Sequence, residues 1–551
     1  MLNNTDMSGG LYLQSFLKNK KDLLYFSTAA VLAAVHIVII LLIRIRMPYF
    51  LDSDMSSELL LSRILSEEHS LMSKNWFYST ELRVLNTQLV YTFFFNFTNS
   101  WHRVRLLSDA VLHCSLSGSV IFFCRKAGIK RYSFCNAICA VSSLSVTYFL
   151  IIAMGCYYIP HIAISFLTLA LAFMSSESGK KKKISALTVL SLLSFAAGAG
   201  GVRQLVITYL PLTAAVMILC CNTVYREGMS SARKSAYSAL IPAALTSLLS
   251  GGAGCIVNSR VLSGIYHFKE WDTIRFKQAD PDRISQVIFD LLTSLGFTTG
   301  DLTVKNLVSN CCFGILLLLT LWAVSVGLRQ TSGSCFRLLT VFFICNTAVF
   351  ILLYTLTDMP YTARYNFPVI IFSFPLITMA IHEADLKMMP AVSRQILSFI
   401  LMGSVLIKSG IVHSDLRNFV KTPPVHEVAE FINNSDYRYG YATFWNGNVL
   451  TELTNGKAEM YLWRSSGNDG SEFSSTKDPD DLYEWLQKTE HVTSPPDGKV
   501  FVLYRKNEIE HCGWKEHILP EDLIFETEEY EVYGFESHDE MMSVYTTDNN
   551  K

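Results

Sequence analysis

Pro48–Trp76 reads PYFLDSDMSSELLLSRILSEEHSLMSKNW and follows directly on the first apolar segment of a 551-residue chain. Asp52, Asp54 and Glu58 fall within seven residues, and an amphipathic pattern then begins. Leu59, Leu60, Ile64 and Leu65 recur at helical spacing opposite Ser56, Arg63 and Glu67, which predicts a helix from Asp54 to His69. Asp54 stands three residues before Ser57, where an N-cap is expected. One reading makes the acidic residues a solvated loop and a helix cap. In the other, a carboxylate held at a membrane face acts as general base or holds a cation.

The rest of the chain decides what kind of solvent surrounds this stretch. Half the residues are apolar, with 35 Phe and 25 Tyr, more than one soluble core of this size would carry. The formal net charge is only −1, yet residues 1–411 hold 34 Lys/Arg against 20 Asp/Glu, whereas residues 412–551 hold 12 against 27. A basic, apolar front and an acidic tail predict two parts in different solvents. Of the 13 cysteines, twelve lie in or beside apolar segments, where cysteine acts as a small hydrophobe. Cys512 alone lies in the tail, which excludes a disulfide within it, and no metal-ligand spacing occurs. Lys18, Lys20 and Lys21 before a long apolar segment predict an uncleaved signal-anchor.

Segments long and apolar enough to span a bilayer are 23–43, 106–124, 134–152, 157–174, 185–201, 204–221, 236–257, 307–327, 338–356, 366–382 and 395–411. The fifth and sixth nearly touch at GAGGVRQ, a spacing also compatible with a re-entrant pair. Every alternate connection is basic: Arg125 to Arg131, GKKKK at 179–183, Arg226 to Lys234, Arg329 with Arg337, and Lys387 with Arg394. The positive-inside rule then predicts a polytopic α-helical membrane protein of about eleven spans, N-terminus in and C-terminus out. Its expected parts are a cytoplasmic 1–22, a membrane domain 23–411, and an extracytoplasmic acidic α/β domain 412–551. Loops 44–105 and 258–306 fall on the outside with the tail, and 81–97 predicts a second interfacial helix in the first of them.

In the tail, PPVHEVAEFI (423–432) predicts a helix with Val425, Val428, Ala429 and Ile432 on one face, and Asp478–Pro479 predicts a helix start. YGYATFW, VFVLYR and LIFETEEYEVYGF read as strands, the last as a hairpin. Tyr439, Tyr441, Phe444, Trp445 and Trp463 fit a sheet core better than a carbohydrate-stacking surface.

A second polar set lies at the outer ends of the spans. GCYYIPH (155–161) carries Tyr157, Tyr158 and His161; GGVRQ carries Arg203; DMPYTARYNFP carries Asp358, Arg364 and Tyr365. Interfacial tyrosines and snorkelling arginines account for any one of them. Two arginines on the leaflet where basic residues are fewest instead point to phosphate recognition. Asp109 and His113, one turn apart in the second span, form a weaker polar pair.

An inward N-terminus, a long first outer loop opening on an acidic motif, interfacial helices and many further spans resemble the glycosyltransferase-C superfamily, including protein O-mannosyltransferases and bacterial aminoarabinose transferases. RYNFP looks like the R-Y-x-x-P found late in such chains, and DSDMSSELLLSRIL resembles the acidic start of their first loop. The resemblance covers residues 20–411. It implies sugar transfer from a polyprenyl-phosphate donor to a cell-envelope acceptor at the outer face of a cell membrane. Asp54 would be the catalytic base, or Asp52, since D-S-D departs from the adjacent acidic pair of that family. Glu58, Tyr157, Tyr158, His161, Arg203, Arg364 and Tyr365 would bind substrate. The scheme needs no metal or other cofactor, although a divalent cation is compatible with it, and it involves no nucleic acid. A transporter or flippase for a lipid-linked saccharide, and a non-catalytic envelope protein, are the alternatives; no internal repeat of the transporter kind is present.

Overall fold

The computed structural model describes residues 6–546 except 80–81, 83, 178, 269–274, 279, 330–332, 360, 386–390, 420–423, 464–481 and 507–517. The predicted helix start at Asp478–Pro479 and Cys512 lie outside the described residues. The apolar runs are helical. In chain order they form α1 (Asp6–Phe50), α2 (Ser53–Glu68), α3 (Gln88–Phe95), α4 (Trp101–Lys126), α5 (Ser133–Val141), α6 (Ile159–Glu177), α7 (Lys180–Gly198) and α8 (Leu210–Glu227). There follow α9 (Ile241–Arg260), α10 (Pro281–Ser294), α11 (Val304–Gly327), α12 (Ser334–Leu356), α13 (Phe367–Asp385) and α14 (Ala391–Phe419).

Among the described residues nine helical stretches are long and apolar enough to span a bilayer, and one sharply bent helix pair makes a tenth if its two halves count as one span. Two of the eleven expected spans are modified. The segment 134–152 bends by 100° between Val141 and Val146 and finishes as a π-helical turn, Phe149–Met154. Ser142, Ser143 and Ser145 sit at the break; Ser145 caps the next turn through Tyr148 N, satisfying backbone groups that the kink would orphan. The segment 185–201 is helical as α7, but four lysines in its first turn keep it out of the apolar set. It is packed along α9 through glycines: a β-carbon on Gly254 would collide with the Phe195 carbonyl, and one on Gly198 with the Gly251 carbonyl. Backbones this close require residues without side chains.

The first loop holds both expected helices, α2 and α3. Asp52, not Asp54, caps α2: its Oδ1 accepts the Met55 N–H at 2.7 Å, which leaves Asp54 in the first turn. His69, with φ at +50°, closes the helix. The side expected to be polar is divided: Glu67 is exposed and Arg63 partly so, while Ser56 is buried with Ser53, Ser57, Ser62 and Ser66. Ser57 and Ser62 return their hydroxyls to the carbonyls of Ser53 and Glu58, and the short side chains leave a flat surface.

That surface takes a helix from the tail, which α15 (Pro424–Asn434) opens, with Val428, Ala429 and Ile432 buried as the pattern predicts. The strands among the described residues are β1 (Phe77–Tyr78) and β2 (His267–Phe268) in the loops, then β3 (Tyr439–Thr443), β4 (Glu459–Trp463), β5 (Val500–Arg505), β6 (Leu523–Glu526) and β7 (Tyr530–Phe535) in the tail. The tail sheet has the order β4-β3-β5-β7-β6. β3 pairs parallel with β4 and β5, and β7 runs antiparallel to β5 and β6, the last two forming the expected hairpin. YGYATFW is not all strand: β3 stops at Thr443, and Phe444 and Trp445 open α16 (Phe444–Leu453), the crossover that parallel pairing demands. Tyr441, Phe444 and Trp463 are core residues while Trp445 is half exposed. Apolar clusters line both faces of the sheet, which is why VFVLYR carries no alternation.

Three stretches distant in sequence therefore meet at one end of the bundle. β1 of the first loop pairs with β2 of the second, Trp76 bridges to Lys488 of the tail, and Asn448 on α16 donates to Ser57 Oγ at 2.7 Å.

Candidate functional site

The ends of four elements converge on Arg203. Its guanidinium carbon lies 5.2 Å from the centroids of both the Tyr158 and Tyr365 rings. Its Nη1 is 3.2 Å from His161 Nε2. Tyr158 and His161 stand at the N-terminal end of α6, with ring centroids 5.4 Å apart. Arg203 precedes the π-helical turn Leu205–Tyr209, and Gln204 ties that segment to α6 by donating to the His161 carbonyl at 2.7 Å. Tyr365 and Arg364 belong to the 3-10 turn Ala363–Asn366, where Arg364 lies 5.8 Å from the Tyr365 ring. Tyr354, at the end of α12, closes the box 6.3 Å from Tyr365. A guanidinium between two aromatic faces is held flat at little rotamer freedom. Arg364 Nε is buried and meets no hydrogen-bond acceptor among the described residues, a donor suited to an anionic oxygen.

Four of the sequence-selected residues, Tyr158, His161, Arg203 and Tyr365, thus form one contact network, with Arg364 beside it. Tyr157 turns to the membrane core, its ring against Gly155. Glu58 faces the first-loop helices instead: Thr87 Oγ1 donates to it at 3.1 Å and Asn86 Nδ2 at 3.5 Å. Asp358 accepts the Arg275 N–H at 2.8 Å and ties the second loop to the turn before Arg364.

The acidic edge is built around Asp52 and Asp54. Burial, and next the neighbouring Asp54 carboxylate, push the Asp52 carboxyl up to about 6, against the opposing Met55 N–H bond and the Arg105 charge. Phe50, two residues earlier, packs on Phe149 at 5.7 Å, in the π-helical turn that leads into Tyr157 and Tyr158.

Behind this edge stands a network that sequence reasoning missed. Arg105 makes a bidentate pair with Glu452 of α16, Nε to Oε1 at 2.5 Å and Nη2 to Oε2 at 2.6 Å, both side chains almost fully buried. The same guanidinium donates to the Met55 carbonyl in the first turn of α2 at 3.0 Å. It also lies over the Tyr91 ring at 5.4 Å, and Tyr91 OH donates to Asp109 at 2.8 Å. Asp109 and His113 are explained by this scaffold: the first anchors α3 on α4, and the second hydrogen-bonds the Ala153 carbonyl of the π-helical turn at 3.0 Å. Arg105 was one residue outside the expected span, and Glu452 has no local sequence signal.

Glu459, Glu490 and His491 in the tail form the one cluster with metal-ligand geometry among the described residues. Lys488 Nζ already sits on Glu459 and Glu490. The His491 ring donor, with the Lys488 ammonium, holds Glu459 down to about 2. The cluster carries its own cation.

This arrangement of bundle, first loop and capping tail domain is a fold shared with solved structures of ArnT. The structure of ArnT from Cupriavidus metallidurans bound to undecaprenyl phosphate matches it with a TM-score of 0.56 at 10% identity, over 92% of this chain and 97% of that one. ArnT in the apo state matches with a TM-score of 0.53 at 11% identity over the same shares. No protein-family model matches the sequence, and no curated protein matches it either.

Proposed function

We propose that the protein is a membrane glycosyltransferase that moves a sugar from a polyprenyl-phosphate donor to an acceptor at the outer face of the cell membrane. The observation that carries this is the convergence of Arg203 and Arg364 on one aromatic box, at the end of the bundle that holds Asp52 and Asp54. The ArnT likeness supplies the fold, and the undecaprenyl phosphate in that structure shows the ligand class such a fold can hold. The alternating basic connections support an outward-facing tail and loops.

In this reading the acceptor hydroxyl attacks the anomeric carbon while Asp54 takes its proton. The bond from that carbon to the phosphate oxygen breaks, and the electron pair leaves with the polyprenyl phosphate. Arg203 and Arg364 bind the charge that develops on the phosphate, the interaction that must strengthen in the transition state. Asp52 orders the helix that presents Asp54 and sets its electrostatics. Tyr158, Tyr365 and His161 form the wall against which the sugar rests.

Release of free polyprenyl phosphate from a panel of polyprenyl-phosphate sugars by the purified protein tests the reading. Turnover that collapses in Asp54→Asn with folding intact supports it. Equal turnover in that variant moves the base to Asp52. Donor binding unaffected by Arg364→Ala would refute the phosphate assignment.

A further inference from the structure

Cys156 breaks a backbone rule beside the arginine box. Its φ is +56°, a left-handed conformation that L side chains avoid and glycine accepts freely. Among the described residues His69, Asn455 and Leu486 are the other non-glycine positions of that sign, and Cys156 alone of the four is fully buried. The bend joins two elements. Gly155, which ends the π-helical turn, donates its N–H to the Leu150 carbonyl at 2.7 Å. The Cys156 carbonyl accepts the Ile159 N–H at 2.9 Å, where α6 begins. The φ at Cys156 therefore sets the direction in which Tyr158 leaves the turn, and Tyr158 is one of the two rings that hold Arg203.

A non-glycine residue keeps such a conformation where its surroundings hold it there, and such residues gather at functional sites. A glycine at 156 would meet the backbone requirement without strain; what it would lack is the sulfur. Cys156 Sγ lies 3.7 Å from His113 Nε2 on α4. That nitrogen is also 3.0 Å from the Ala153 carbonyl, so it carries the ring proton and shares it between carbonyl and sulfur. The thiol proton is left for the neighbouring Asp109 carboxylate. Asp109 Oδ1 takes the Tyr91 hydroxyl at 2.8 Å, while no N–H or O–H donor among the described residues reaches its Oδ2. One sulfur thus ties the turn that carries Tyr158 to both polar residues of α4, and Tyr91 continues the contact to Arg105 at 3.5 Å.

We infer that Cys156 is a positioning residue for the arginine box: its thiol, held between His113 and Asp109, keeps the turn in the left-handed bend that aims Tyr158 at Arg203. Its part in sugar transfer rests on the function proposed above, whereas the positioning does not.

Fluorine NMR on the full-length protein in detergent, with 3-fluorotyrosine in place of Tyr158, reads the surroundings of that ring without any ligand. Cys156→Ala keeps the strained backbone and removes the thiol, Cys156→Gly removes both, and Cys156→Ser keeps a donor. Cys156→Ala should lower the thermal midpoint and displace the resonance. Cys156→Gly should return the midpoint to near that of the native protein and leave the resonance displaced. Cys156→Ser should bring the resonance back towards its native position. A native resonance in Cys156→Gly, a resonance that moves only in step with the midpoint, or Cys156→Ser indistinguishable from Cys156→Ala would overturn the inference. Should Cys156→Ala fail to fold, Cys156→Gly and Cys156→Ser decide it between them. In a titration with polyprenyl phosphate, Cys156→Gly should bind roughly tenfold more weakly, the size of one impaired hydrogen bond to a charged group. Absence of binding by the native protein would count against the transferase and leave the fluorine result to decide the positioning.

Discussion

Glu452→Gln removes one charge from the tail and changes almost no volume. In the native protein Glu452 receives two charge-assisted hydrogen bonds from Arg105, at 2.5 and 2.6 Å, with both side chains nearly inaccessible. The glutamine can keep one of these contacts but must turn an NH2 towards the guanidinium. Stranding one partner of a buried pair costs about 3–5 kcal/mol. Arg105 retains the Met55 carbonyl and the Tyr91 ring, and Asp109 lies beyond Tyr91, so the lower end applies. If the pair fastens α16 to α2, this free energy falls on local opening of that interface. Amide exchange in α2 and α16 should then accelerate by roughly 100-fold, at one decade for every 1.4 kcal/mol. Hydrogen–deuterium exchange with mass spectrometry reads both helices, and β5, hydrogen-bonded on both sides within the tail sheet, serves as the reference for the tail fold itself. Exchange unchanged in α2 and α16 would refute the reasoning and assign the docking to Asn448–Ser57 and the Trp76–Lys488 bridge. A uniform rise that includes β5 would refute it too, since the ion pair would then support the tail fold and not its attachment.

Asp52→Asn keeps an N-cap of equal quality. With the Asp52 carboxyl near 6 beside Asp54, the proposed base loses an anionic neighbour as pH falls through that value, so the variant should lack the wild-type acid limb of kcat/KM near pH 6. Measured stability should follow the same group: Asp52 binds its proton more tightly folded than unfolded, so its burden on stability grows as pH rises from about 4 to 6 and vanishes in the variant. Glu459 acts oppositely. Held down to about 2, it adds stability that is complete above its ordinary 4.5 and lost as pH falls from there to about 2, and Glu459→Gln should flatten that part of an acid titration. Arg203→Lys keeps the charge but loses the planar stack between Tyr158 and Tyr365; donor affinity, read by titration calorimetry, should drop by about 1–2 kcal/mol. Gly254→Leu should prevent close packing of α7 on α9 and lower the thermal midpoint of the solubilised protein, whereas Gly252→Leu, with open space around it, should not.

Much of the architecture was legible because lipid imposes a simple rule: helices must be long and apolar, and their connections alternate in charge. The outer elements were legible in kind, as α2 and α3 show. Their orientation was not. Ser56 read as part of a polar face because a serine face looks the same whether water or another helix covers it; α16, which meets the adjacent Ser57, comes hundreds of residues later. The cap went to Asp52 and not Asp54 because D-S-D offers two equivalent starts two residues apart, and packing chose between them. Arg203, Arg364 and Tyr365 could be selected as outer-end residues of unusual type, but only the fold shows that Arg203 lies between two tyrosines. Tyr354 was hidden at the end of an ordinary apolar run. Glu452 was hidden completely, since a carboxylate on a short helix of an acidic domain gives no sign that its partner is in a span.

Arg105 and Glu452 are separated by 347 residues of chain. At about 5–20 residues per second of synthesis, the arginine is made roughly 20–70 s before its carboxylate. Through that interval Ser57 of α2 has no α16 to meet, and the guanidinium that bonds the Met55 carbonyl has no carboxylate partner in the tail. A ribosome that stalls before residue 452 leaves a nearly complete bundle whose acidic edge has not been set. The Arg105–Glu452 pair therefore waits for the tail domain, and a membrane bundle made before it stands without the ion pair behind Asp52 and Asp54.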